Sequence, residues 1–141
     1  MSGFEPFDKA LHKAHVWLND IAAEMGEGTT RQQAYPAMRA MLHALRDRLT
    51  VDEAAQLAAQ LPVLVRGIYF EGWDPTKTPL KVRHRDEFIR LVRDYLGKTD
   101  NVDPALAAKA VFATLRKHVT QGEIEDVLSE LPGEIRELLA V

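Results

Sequence analysis

Residues 41–69 read MLHALRDRLTVDEAAQLAAQLPVLVRGIY, and residues 111–139 read VFATLRKHVTQGEIEDVLSELPGEIRELL. Set 70 positions apart, the two stretches carry one pattern. Leu45-Arg46, Leu49-Thr50, Glu53, Leu57, Leu61-Pro62 and Arg66 answer to Leu115-Arg116, Val119-Thr120, Glu123, Val127, Leu131-Pro132 and Arg136. Upstream, Trp17, Ile21 and Gly26 answer to Phe88, Val92 and Gly97 at an offset of 71. Apolar residues recur at spacings of three and four in both copies, which is the period of a helix with one buried face. No run alternates with the period of a strand. The reading is therefore all-α, with eight helices as two homologous four-helix repeats packed with pseudo-twofold symmetry. The repeats occupy 5–70 and 84–141, joined by a loop at 71–83, in one domain over 1–141.

Local signals set the helix ends. Phe7, Leu11, Ala14, Leu18, Ile21 and Met25 form the stripe of a first helix, stopped by Gly26. Thr30 with Gln33 predicts a capping box that opens a second helix, whose buried face is Tyr35, Met38, Leu42, Leu45 and Leu49. Pro36 is taken to lie early enough in that helix to be tolerated. Thr50 with Glu53 and Thr120 with Glu123 predict two further capping boxes. Asp103-Pro104 is an N-cap followed by proline at the first helical position. Pro62 and Pro132 each separate a longer helix from a short one.

The composition narrows the chemistry. The chain has 141 residues, no cysteine and a net charge of −3. Disulfides, thiolate metal sites and a cysteine nucleophile are absent. The sequence pI of about 5.9 and the lack of any strongly basic segment argue against a nucleic-acid partner. No stretch approaches the roughly 18 consecutive apolar residues of a membrane span. The opening Met-Ser-Gly-Phe-Glu-Pro lacks the basic and apolar regions of a secretory signal. A soluble, cytoplasmic protein is expected.

Residues 61–73, LPVLVRGIYFEGW, are flanked by ALRDRL at 44–49 and HRDEF at 84–88. Together they resemble the bacterial domain-of-unknown-function family 2267, the Arg-Gly-x-Tyr-x-x-Gly-Trp arrangement being the most specific part. The resemblance covers nearly the whole chain. It implies an all-helical domain and carries no reaction, cofactor or catalytic residue.

Three groups of residues could carry chemistry. Glu5, Asp8, His12 and His15 share one face of the first helix, and His12 and His15 are where a metal would bind. Without a Glu-x-x-His pair on another helix the reading is a solvated face and no metal. In the inter-repeat segment, Tyr69, Phe70 and Trp73 lie near Lys77, Lys81, Arg83, His84 and Arg85. Aromatics beside cations could stack on and pair with a phosphate or nucleotide, with Tyr69, Trp73, Lys81 and Arg83 as contacts. The competing reading is a seam plugged by Trp73 under a wet loop. Arg66 and Arg136 read as structural residues that pair with an acid or cap carbonyls. Gly67 reads as a point of close packing or of a bend. His43 and His118 read as ordinary helix histidines. There is no phosphate-binding glycine loop, no His-Glu-x-x-His, and neither Ser2 nor Ser129 lies in a nucleophile elbow.

The functional expectation is a non-enzymatic module that binds another protein or self-associates, with no cofactor. The alternative is a small-ligand or nucleotide-sensing domain using the cleft at the repeat junction.

Overall fold

The computed structural model describes residues 2–99 and 101–140. Met1, Asp100 and Val141, which the expected boundaries include, lie outside the described residues. Among the described residues are eight α-helices, one 3₁₀ turn at Pro75–Lys77 and no strand. The helices are α1 (Glu5–Met25), α2 (Arg31–Arg48), α3 (Val51–Ala59), α4 (Val63–Phe70), α5 (Arg85–Leu96), α6 (Pro104–His118), α7 (Gln121–Glu130) and α8 (Gly133–Leu139). No helix among them is long and apolar enough to cross a membrane.

The stops and starts follow their residues. Gly26 closes α1 at φ 121° and Gly97 closes α5 at φ 61°, backbone conformations that side chains disfavour. Thr30 and Gln33 make the complete, reciprocal capping box. Asp103 caps α6 through the Ala105 N–H, with Pro104 at the first position. Pro36 is the sixth residue of α2, two places beyond the first turn. The helix continues through it, and the Gln32 carbonyl that loses its donor belongs to an exposed residue.

The other two expected capping boxes are only half formed. Thr50 accepts from the Glu53 N–H, and Thr120 from the Glu123 N–H, each at 3.3 Å. The reciprocal bond comes from elsewhere. The Thr50 N–H donates to Glu130 Oε1 at 2.9 Å, and the Thr120 N–H to Gln60 Oε1 at 2.8 Å. Each N-cap is therefore completed by the helix that crosses it.

The core is continuous. The central helix α2 packs on α1, α4, α5 and α6, and α6 packs on α1, α2, α5, α7 and α8. Within α2 every residue from Ala40 to Asp47 is buried, and Ala34, Ala37, Ala40 and Ala44 have no exposed surface. Small residues let helix axes approach closely. Phe88, Phe112, Met38, Met41, Leu42 and Leu45 fill the interior. Each buried side chain of this size contributes roughly 1.5–3 kcal/mol. Three residues assigned to buried faces are instead on the surface: Phe7 is 63% exposed, Tyr35 42% and Leu11 38%. Along the first three turns of α1 the stripe runs beside α4 without being covered by it, so Phe7 and Leu11 stay open to solvent. Its buried residues are Trp17 and Ile21, further along.

Candidate functional site

The segment between α4 and α5 is strapped to the last turn of α2. Arg46 is nearly inaccessible, at 2% exposure. Its Nη1 donates to the Tyr69 and Glu71 carbonyls, both at 2.9 Å, which caps the C-terminal end of α4. Its Nε donates to Asp47 Oδ1 at 2.9 Å. The Tyr95 hydroxyl donates a short hydrogen bond to Asp47 Oδ2. Burial and that bond push the Tyr95 phenol up. His43 meets Tyr95 edge-on at 5.3 Å and donates from Nε2 to the Ile68 carbonyl at 2.7 Å. A carbonyl can only accept, so the ring proton sits on Nε2; burial holds the imidazole below its ordinary range. The Leu80 N–H donates to the Asp47 carbonyl and Arg48 Nε to the Val82 carbonyl, both at 2.7 Å. A cavity of about 260 Å³ remains, lined by Arg46, Asp47, Gly72, Asp74, Lys77, Thr78, Leu80 and Tyr95.

None of the four residues expected to contact a ligand lines this cavity. Tyr69 is fully buried, and its hydroxyl donates to the Ala54 carbonyl at 2.9 Å. Desolvation pushes its phenol well above the ordinary value. Trp73 is half-buried against Phe70, with ring centroids 5.3 Å apart, and its Nε1 has no hydrogen-bond partner among the described residues. Lys81 and Arg83 are exposed. Tyr95 and Asp47 were missed, although Tyr95 stands at a helical spacing from Phe88 and Val92. Periodicity marks such a residue as buried without indicating what its hydroxyl meets.

His12 and His15 are exposed on α1, and neither belongs to a metal-competent group among the described residues. Arg66 donates to the Ala58 and Leu61 carbonyls, both at 2.9 Å, and Arg136 to the Leu128 carbonyl at 3.4 Å. Both arginines are carbonyl caps, as expected. His118 stacks on Trp17 at 4.9 Å and pairs with Asp20 at 2.6 Å, without a nucleophile among its partners.

Two further places stand out. At one end of α1, Phe4, Phe7 and Leu11 are exposed together with Val63 and Leu64 of α4, the helix packed beside it. A groove of about 370 Å³ with no polar wall is lined by Ser2, Phe7, Ala10, Leu11 and Leu64. At the crossing of α3 and α7, Glu53 and Glu123 are each 6% exposed, and one oxygen from each lies within 4.8 Å of one from Asp126.

A family model described as Uncharacterized conserved protein (DUF2267) matches residues 14–138. The chain belongs to this family. The DUF2267 match takes in α2 to α7 complete, most of α1 and all of α8 but its last residue. The strapped junction and the α3/α7 crossing thus lie inside the DUF2267 span, while Phe4, Phe7 and Leu11 precede it. No curated protein matches the chain.

Proposed function

We propose that this DUF2267 chain is a non-enzymatic self-association module, and that it pairs with a second copy of itself through the surface of Phe4, Phe7, Leu11, Val63 and Leu64. The observation that carries the reading is the apolar groove lined by Phe7, Ala10, Leu11 and Leu64 beside the exposed Phe4 ring. A twofold dimer uses one patch on both partners, so that patch needs both a projection and a recess. The Phe4–Phe7 pair, edge-on at 5.1 Å, supplies the projection. The groove is large enough for an aromatic side chain. Monomers seldom leave contiguous apolar patches of this kind in water. Sedimentation of the intact protein tests it. We expect a monomer–dimer equilibrium with a dissociation constant on the order of 10 µM, about 7 kcal/mol of association. Phe7→Glu and Leu64→Glu shift it to monomer with circular dichroism and melting temperature unchanged. A strict monomer at all accessible concentrations overturns the reading, as does a dimer indifferent to both substitutions.

We further infer that 5–70 and 84–141 are copies of one four-helix unit about a twofold axis. Reciprocal packing supports this: α1 on α6 matches α5 on α2, and α2 meets α6 as α3 meets α7. The Thr50–Glu130 and Thr120–Gln60 bonds match in the same way, at an offset of 70.

A second reading, a small-ligand or nucleotide sensor, is favoured by the polar junction cavity with Lys77 and Tyr95 in its wall. Against it, the Arg46 guanidinium is already committed to two carbonyls and Asp47. Titrating nucleotides into a Trp17→Phe variant tests it through Trp73 fluorescence. A saturable change lost in Lys77→Ala supports this reading, and a flat response to all of them overturns it.

A further inference from the structure

Glu53 and Glu123 are the third residues of α3 and α7. At that position a glutamate ordinarily folds back onto the N-cap N–H. Here Glu130 and Gln60 from the opposite helices hold those N–H groups. The two glutamates are thereby left to point toward each other at the helix crossing. Both are more than nine-tenths buried, and Oε2 of each has no hydrogen-bond partner among the described residues. An orphaned buried carboxylate oxygen is costly and needs an explanation. No lysine, arginine or histidine among the described residues pairs with Glu53, Glu123, Asp126 or Glu130. Arg48, the cation facing Glu130, gives its Nε to the Val82 carbonyl. The buried carboxyls of Glu53 and Glu123 thus meet at the crossing with no ion-pair partner among the described residues.

We propose that Glu53, Glu123 and Asp126 bind one hard divalent cation, of the magnesium, manganese and calcium class, between α3 and α7. An all-oxygen, all-carboxylate donor set selects that class over zinc or copper. Oxygens that share such a cation at about 2.1–2.4 Å lie within about 4.8 Å of one another, and these three satisfy that limit. Asp126 is exposed, which gives the ion a way in and leaves room for water to complete its shell. The ion would meet the orphaned oxygens of both glutamates and tie the two halves of the chain together.

A shared proton is the competing occupant. Burial and the adjacent Glu123 carboxyl hold the Glu53 carboxyl up at about 8. A cation must displace that proton, so its affinity rises with pH. Calorimetric titration of the intact protein with manganese chloride, in parallel with magnesium and calcium chloride, decides between them. We expect one manganese per chain at pH 8, at least about tenfold weaker binding at pH 6, and loss of binding in Glu53→Gln and in Asp126→Asn. Glu53→Gln imitates the protonated carboxyl and should remain folded, which circular dichroism verifies. Should no cation saturate the protein at pH 8, or should the Glu53→Gln/Glu123→Gln double variant bind as well as the parent, the proposal fails. Carbon NMR of the glutamate carboxyls adds an independent readout. A Glu53 titration that manganese's diamagnetic substitute, magnesium, leaves unmoved means a shared proton alone and overturns the site.

Discussion

Arg46 shows how much one side chain can organise. It lies in α2, yet it closes the end of α4 and orients Asp47, which in turn receives Tyr95 from α5. Removing it strands two carbonyls and a buried carboxylate at once. Breaking a buried pair from one side costs more than the pair itself contributes, because the remaining charge is left desolvated. Arg46→Ala should therefore lower unfolding stability by about 3 kcal/mol or more, read as a shift in the urea midpoint. Arg116→Ala is the control. It occupies the matching place 70 residues on but lies exposed over Phe112 at 5.0 Å, and should cost well under 1 kcal/mol. The repeat made these two arginines look alike in sequence. Their roles differ because Arg46 holds the α4–α5 connection, whereas among the described residues Arg116 lies over the Phe112 ring. Arg66 and Arg136 were legible as structural because their duty is local, to carbonyls five and eight residues away. Tyr69 was not legible, because only the packing of α4 on α3 decides whether an aromatic near a helix end faces the core.

Among the elements, the short helices α3 and α7 cross at a buried carboxyl whose pKa is raised by burial and by its neighbour. The native Glu53 carboxyl sits at about 8 against an ordinary 4.5. Between those values the folded chain holds a proton that the unfolded chain releases. Unfolding is then favoured as pH rises, so stability declines through that window. His43 acts oppositely. Burial lowers its pKa, so its effect appears as pH falls below 6.5, where the unfolded imidazole takes up a proton. His84, raised mainly by its bond to Glu134, contributes stability that is lost as pH rises through its folded value, the same direction as Glu53. Comparing the parent with Glu53→Gln from pH 6.5 to 8.5, with chelator present, isolates the carboxyl. The parent's melting temperature should fall across that range, and the variant's should fall less. Helix existence and limits were largely readable, because Gly26, Thr30, Gly97 and Asp103 act on their own neighbours. The crossing of α3 and α7 was not. Thr50 with Glu53 reads as an ordinary box, and nothing local says that Glu130 will take the second bond.

At the scale of the molecule, α2 is buried on nearly every side, and two of its partners, α5 and α6, come from the other end of the chain. A chain ending at residue 70 would leave Met41, Leu42 and Leu45 in water. Residues 1–70 expressed alone should give the far-ultraviolet circular dichroism of a largely unfolded polypeptide. A cooperative melt from that fragment would contradict the packing described. The all-α architecture was readable from periodicity, since the apolar spacing is helical along the whole chain. The surface of Phe4, Phe7 and Leu11 was not, because an apolar stripe looks the same whether or not another helix lies against it.

The crossing of α3 and α7 is lopsided in its polar groups. Positions 126 and 130 carry acids where positions 56 and 60, their counterparts at the 70-residue offset, carry amides. Two identical separate subunits could not differ in this way, since every acid placed on one would be duplicated on the other. Joining both halves in one polypeptide frees each side of the seam to vary independently. Here that freedom puts acids at 126 and 130 on one side and amides at 56 and 60 on the other, so the acid count can change on one helix without changing on its neighbour.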